Sequence, residues 1–329
     1  MEKKLTIKDI AELSGVSVKT VSKVINQRYG VKNETRDKIL HIMKENNYSV
    51  NYNAKRLSEN KSMQIAVVTN ITERLPLKKN YLIIQHILEK LKGYNVIVNN
   101  SVEELQKNPY GGIAKGYYDG IILLNPREIE SIEYVKKSGI PFIISGINEK
   151  YSYVGTDQKG SGYLATKHLL DLGCRDIYFL LDTKNTFTAK KKIEGYKEAI
   201  ENKGLIYDDY KVLENFYKSK HIEEFITTKY YMNELPDAII IDSDFPAFGA
   251  IRAIHKLGIK CPENLKIITF GNTYMCSEVS PSLTSIKQNF ELIAEKLIEL
   301  LLERIDYNEE CMKSYCIPAE LIVRESTVI

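Results

Sequence analysis

Tryptophan is absent, cysteine numbers only five, and no apolar stretch approaches the roughly 20 residues a membrane-spanning helix needs. The missing tryptophan decides nothing. The cysteines, Cys174, Cys261, Cys276, Cys311 and Cys316, are odd in number and lack metal-ligand spacing, with no histidine beside Cys311 and Cys316. With no signal-peptide pattern, they argue for a reducing cytoplasm and against a disulfide framework. The five histidines, His41, His86, His168, His221 and His255, lie apart from one another on expected helices, so no metal cluster is indicated. G-x-G-x-x-G, G-x-x-x-x-G-K-[ST] and G-x-S-x-G are all missing. Neither an enzyme nor a resident cofactor is therefore expected.

What is present is an uneven charge. The whole chain carries +3, but residues 1–62 hold 13 Lys+Arg against 7 Asp+Glu, a net of +6. The remainder holds 33 against 36, a net of −3. A basic head on a slightly acidic body places a polyanion contact in the head alone.

The head reads as three short helices. Thr6 can cap the first, with Asp9 three residues on at the positive end of its dipole. Ala11 lets two helices cross closely, Gly15 allows a left-handed turn, and Val21 locks the second helix down. Ser17 caps that second helix, Val18 to Asn26, which turns Val21, Val24 and Ile25 inward and keeps Lys19, Thr20, Ser22 and Lys23 outside. A third helix from Asn33 to about Asn47 should bring Ile39, Leu40 and Met43 to the core. This is a helix-turn-helix pattern, whose second helix enters a major groove. The segment Tyr48–Leu57 is too short to be a stable helix alone. Ala54 and Leu57 share a face beside Lys55 and Arg56, so a helix formed on docking could wedge Leu57 between base steps in a minor groove. The plainer alternative is an interdomain linker.

After Lys61 the texture changes. Short apolar runs at Ile65–Thr69, Asn95–Val98, Gly120–Leu124 and Phe142–Ser145 are followed by Ile177–Leu181, Ala238–Ile241 and Ile267–Phe270. Amphipathic helical patterns lie between them, at Leu82–Lys92, Gly162–Leu172, Ile193–Lys203, Phe245–Leu257 and Leu292–Arg304. Such alternation predicts parallel sheets covered on both faces, in two lobes with a cleft between. Ligands bind such sheets beyond the carboxyl ends of the strands. Asp157, Ser243 and Asp244 each follow an expected strand, and Lys192 is the inward candidate of the run Lys190–Lys192. A carboxylate placed there can equally cap the next helix, and a lysine triplet is ordinarily a solvated face.

The words "TIKDIAELSGVSVKTVSKVINQ", "NETRDKILHIMKENNY" and the pair Ala54–Leu57 resemble the DNA-binding head and hinge helix of the LacI/GalR family of bacterial transcription regulators. "YDGIILLNP", "VGTDQKGSGYLATKHLLDLGCRDIYFL", "PDAIIIDSD", "PSLTSIKQ" and "ELIVREST" are similar to the family's periplasmic-binding-protein-like sensor. The resemblance implies a helix-turn-helix head (1–49), a hinge (50–61) and a two-lobed α/β core (62–329). It divides that core into lobes of about 62–158 plus 290–316 and 159–289 plus 317–329. By position it assigns Val18, Lys19 and Lys23 to base edges, and Thr6, Ser17, Thr20, Ser22, Asn26 and Tyr48 to phosphates. Asn51, Ala54 and Leu57 would sit in the hinge at the minor groove. Lys23 replaces a usual arginine, and Val50 a frequent proline. In the cleft it implies effector contacts from Asp157, Lys192, Ser243, Asp244, Gly271 and Asn272. Lys192 stands for a clamping arginine, Ser243 for an asparagine and Gly271 for an aspartate that grips sugar hydroxyls.

A pocket that loses a carboxylate and keeps a cation is expected to take an acidic effector, a sugar acid or phosphorylated sugar. The function implied is a cytoplasmic homodimer on a double-stranded DNA operator of two-fold symmetry, most often a repressor of carbohydrate genes, controlled by a small molecule in the cleft. With no heptad tail after "ELIVREST", a coiled-coil tetramer is not expected. The segment 101–116 is short for the family's second helix, which leaves a regulator without an effector as an alternative. A cytoplasmic solute-binding protein and an effector-independent architectural DNA-binding protein are the other rivals.

Overall fold

The computed structural model describes residues 5–25, 30–46, 48, 61–69, 77–107, 113, 117–126, 129–146, 148, 150–307 and 313–328. The chain divides into two units, Met1–Ser62 and Met63–Ile329.

The first unit contains α1 (Ile7–Ser14), α2 (Val18–Ile25) and α3 (Asn33–Glu45). A reciprocal capping box starts α1: the Thr6 N–H donates to Asp9 Oδ2 at 2.6 Å, and the Asp9 N–H donates to Thr6 Oγ1 at 3.4 Å. Gly15 ends the helix at φ 67°, a left-handed turn that returns the Gly15 and Val16 N–H groups to the Glu12 and Ala11 carbonyls. Ile10, Ala11, Val21, Val24 and Ile39 form the buried core, with Ile25, Ile42, Met43 and Tyr48 packed around it. Leu40 corrects the expectation, being 47% exposed. The inward stripe of α3 runs through Ile39, Ile42 and Met43, and one helical step turns a side chain about 100° away from it.

The second unit holds two six-stranded sheets. The first comprises β1 (Gln64–Val68), β2 (Asn95–Asn99), β3 (Gly120–Leu124), β4 (Phe142–Ser145), β5 (Tyr153–Thr156) and β11 (Tyr315–Ile317). Its order is β11-β5-β4-β3-β1-β2, parallel throughout. Successive strand residues serve opposite faces. Ile65, Val67, Ile122 and Leu124 pack under α4 (Leu77–Lys90) and α12 (Phe290–Tyr307). Ala66, Val68, Ile121 and Leu123 pack under α5 (Val102–Lys107) and α6 (Ile129–Lys137). The short α5 occupies the stretch whose brevity the sequence indicated.

The second sheet comprises β6 (Ile177–Leu180), β7 (Val212–Leu213), β8 (Ala238–Ile241), β9 (Lys266–Phe270), β10 (Thr284–Lys287) and β12 (Glu320–Ile322). Its order is β12-β10-β9-β8-β6-β7, with only the β10–β12 pair antiparallel. Ile177, Phe179, Ile240 and Ile268 face α7 (Gln158–Asp171) and α8 (Phe187–Asn202). Leu180, Ile239, Ile241 and Ile267 face α9 (Ser219–Tyr231) and α10 (Asp244–Leu257). A short α11 (Met275–Glu278) follows β9. The central strands β6, β8 and β9 are largely apolar on both sides because both sides are covered, which is why they read as continuous hydrophobic runs.

Three connections join the sheets: Thr156 to Gln158, Lys287 to Phe290, and Ile317 to Glu320. They are tied to one another, Thr156 Oγ1 donating to Gln288 Oε1 at 2.9 Å and the Asp157 N–H donating to the Ile317 carbonyl at 2.8 Å. No helix among the described residues is long and apolar enough to cross a membrane.

Candidate functional site

In the first unit the burial of Val21 and Val24 fixes which side of α2 is presented. Val18 is 40% exposed and Lys19 is exposed, while Thr20, Ser22 and Lys23 are half-buried. Ser17 caps α2, its Oγ accepting from the Thr20 N–H at 3.1 Å and lying 2.9 Å from Thr20 Oγ1. One hydroxyl proton closes that contact, so the pair keeps a second proton to offer an anion. Thr6 is placed differently: its hydroxyl donates to Asp9 Oδ2 at 2.7 Å. Tyr48 packs half-buried on the core, and burial pushes its phenol above the ordinary value. Asn26, Asn51, Ala54 and Leu57 lie outside the described residues.

The second unit collects polar groups at the carboxyl ends of its strands. Asp157 caps α7, with Oδ1 accepting from the Gly160 N–H at 2.8 Å. Asp244 is 3% exposed, and its carboxylate accepts from the Thr273 N–H at 2.7 Å and from the hydroxyls of Thr269 at 2.9 Å and Ser285 at 3.4 Å. Those bonds hold the turn after β9, where Gly271 sits at φ 132°. A side chain on Gly271 would begin 2.7 Å from Asp244 Oδ2, so Asp244 already fills that space. Asn272 Oδ1 accepts from Arg324 Nη2 at 2.7 Å. Ser243 precedes α10 without capping it through its side chain. Three of the expected ligand groups, Asp157, Asp244 and Asn272, are thus also parts of the scaffold.

Lys192 points inward, as expected, but not alone. Its ammonium pairs with Oδ1 of Asp242, a residue the sequence reading passed over, and lies 4.2 Å from the centre of the Phe270 ring. The unopposed cation on which an acidic effector was expected is therefore matched by a carboxylate. Gly162 sets the position: a side chain there would begin 2.1 Å from the Lys192 carbonyl, so only glycine lets α7 and α8 meet backbone to backbone. Of the neighbouring lysines, Lys190 is exposed and Lys191 pairs with Glu194 at 2.8 Å.

The first sheet contributes groups the sequence reading also missed. Asn80 is buried on α4 and donates to the Thr69 carbonyl at 2.8 Å, and Asn125 donates to Asn80 Oδ1 at 2.9 Å. Thr69 and Asn125 directly follow β1 and β3, so the rule that singled out Asp244 would have found them. A cavity of about 520 Å³ opens beside the sheet connections, lined by Leu82, His86, Gly271, Asn272, Gln288 and Asn289 among others. It takes in Gly271 and Asn272 but not Asp157, Lys192, Ser243 or Asp244. Of its lining residues, Lys287 pairs with Glu320 at 3.4 Å, and Glu291 pairs with Lys90 at 2.9 Å.

Residues 6–51 match the model for bacterial regulatory proteins of the lacI family, and residues 166–327 that for a periplasmic binding protein-like domain. Over 98% of both chains, the sequence is 30% identical to the HTH-type transcriptional repressor PurR of Haemophilus influenzae (strain PittEE). It is also 30% identical to the HTH-type transcriptional regulator MalR of Clostridium butyricum, over 98% of this chain and 99% of that one. Among solved structures, the fold is similar to the lac repressor dimer bound to operator and the anti-inducer ONPF, with a TM-score of 0.72 and 23% identity over 99% of this chain and 100% of that one. A complex of the transcriptional regulator CelR with cellobiose gives a TM-score of 0.71 and 24% identity over 98% and 99% of the two chains.

Proposed function

Because the chain belongs to the lacI family of bacterial regulatory proteins, we propose that it represses transcription as a homodimer on a pseudo-palindromic operator and is controlled by a small molecule in the cleft of its core. It is a DNA-binding transcription regulator and not an enzyme. The observation that carries the finer reading is the face of α2. Its buried valines leave Val18 and Lys19 outward, with the Ser17–Thr20 hydroxyl pair at its start.

In a major groove, Val18, Lys19 and Lys23 read base edges, while Ser17, Thr20, Ser22, Asn26 and Tyr48 hold phosphates. Thr6 joins them by turning its hydroxyl from Asp9 to a phosphate oxygen. Lysine at position 23 is a point charge without arginine's two-pronged fork, so it discriminates guanine less sharply. Asn51, Ala54 and Leu57 act at the central minor groove, where Leu57 unstacks a base step. In the core, Lys192, Ser243 and Asn272 meet a sugar or sugar derivative, and Asp157, Asp244 and Gly271 shape the wall behind it. Occupancy of the cleft shifts the balance between two lobe arrangements, and a few kcal/mol of differential affinity suffices to move the operator-bound fraction. The genes controlled are those of carbohydrate use.

Selection of bound fragments from genomic DNA, followed by footprinting, tests this reading. The expected footprint is two-fold symmetric, with a protected half-site on each side of a distorted centre. A single asymmetric footprint would overturn the dimer.

A further inference from the structure

The charge at the carboxyl edge of the second sheet is set by residues close in space but distant in sequence. Lys192, on α8, is 4% exposed, packed over the Phe270 ring and paired with Asp242 Oδ1. Asp242 follows β8 directly, its N–H donating to the Leu180 carbonyl at 3.0 Å, so the end of the strand fixes its backbone. Of the two partners the carboxylate is the more accessible, its side chain 24% exposed against 5% for the lysine. The cation is the hidden member of the pair, and the edge shows its solvent side an acceptor. Asp244, two residues further on at the start of α10, adds a second carboxylate after the same strand, and the contacts it accepts are all from neutral donors.

We propose that Asp242 determines the charge preference of this cleft, turning a lysine-bearing site into one that receives hydrogen-bond donors and rejects anions. The effector class is then a polyhydroxy or amino-bearing small molecule without a carboxylate or phosphate. An anion approaching Lys192 meets a buried cation already neutralised by Asp242, whose carboxylate is the more accessible of the two groups. A hydroxyl or ammonium group finds the open side of the Asp242 carboxylate, whose charge strengthens the bond it accepts. The inference rests on the small-molecule control proposed above, which it deepens by naming the chemistry of the site.

The test uses the full-length protein, wild type, Asp242→Asn, and the double variant Asp242→Asn with Lys192→Gln. Thermal melting is followed in inorganic phosphate against chloride at equal ionic strength. The wild type should show no phosphate-specific rise in Tm. Asp242→Asn should gain one, with apparent phosphate affinity at least ~10-fold tighter, because its lysine is left without a counter-charge. The double variant should lose that gain, which separates the cleft from surface lysines. A phosphate-specific rise in the wild type, or identical responses in wild type and Asp242→Asn, overturns the proposal. Glucose, glucosamine, gluconate and glucose 6-phosphate, with the matching galactose series, then probe the wild type by calorimetry. An acid or phosphate binding as tightly as its neutral counterpart also overturns it. If none of these sugars binds while the phosphate responses differ as expected, the role of Asp242 stands and control by a sugar effector falls.

Discussion

The two units keep their chemistry in opposite places. Among the described residues, the first surrounds a core of five buried apolar side chains, and the residues proposed to read DNA lie mostly on or beside one short helix. The second buries two sheets between helices and sets its polar groups at strand ends, where most of them also hold the scaffold together. A change in the first unit's core should therefore remove DNA binding outright. A change at the second unit's strand ends should alter stability and ligand response together.

The largest effect is expected from Ile39→Ala. Ile39 is fully buried at the centre of a very small core, and truncation should cost ~2–5 kcal/mol. So small a core has little stability to spare. Operator binding should vanish while the main urea transition, from the second unit, keeps its midpoint. A joint shift of both would mean that the units unfold as one. Asp244→Ala should act in the opposite sense. It strands the Thr273 N–H and the Thr269 hydroxyl, while Ser285 keeps the Thr269 carbonyl at 3.2 Å, a loss of ~1–3 kcal/mol in the core transition. Specific DNA affinity without effector should be unchanged. An unaltered core transition would show that Asp244 is not part of the scaffold.

The smallest effect is electrostatic. Lys167 and Lys203 hold the Asp171 carboxyl down at about 2, and Lys150 and Tyr151 do the same for Glu133. Depressed carboxylates stabilise the fold above their ordinary values of 3.8 and 4.5 and lose that contribution as pH falls toward about 2. Asp171 is exposed and Glu133 half-buried at the surface, so salt should weaken the effect. Melting between pH ~5 and ~2.5 should fall less steeply for Asp171→Asn, and less steeply for the wild type in ~0.5 M salt than in ~0.05 M. Equal slopes would remove these pairs from the acid response.

The same contrast explains what the sequence revealed. The head was legible because its signals are local: a capping pair three residues apart, a glycine at a left-handed turn, and valines at helical spacing. Leu40 was misplaced because its apolar character outweighed the one-residue turn away from Ile39. In the core, the strands covered on both faces announced themselves as apolar runs, from Gly120–Leu124 to Ala238–Ile241. Tyr153–Thr156, Val212–Leu213, Thr284–Lys287 and the two last strands did not, since they are short, partly polar and fixed by pairing with distant residues. At the candidate site, strand-end polar residues were visible but their partners were not. The pairing of Lys192 with Asp242, fifty positions on, depends on how α8 lies against β8.

The most direct measurement is the affinity of the full-length protein for a selected genomic site and for a shuffled duplex of equal length and composition, across a salt series. Sequence reading by α2 and the hinge should give a preference of at least ~10³, retained as salt weakens both. Equal affinities at every salt concentration would contradict it, leaving a basic head that binds the duplex for its charge alone.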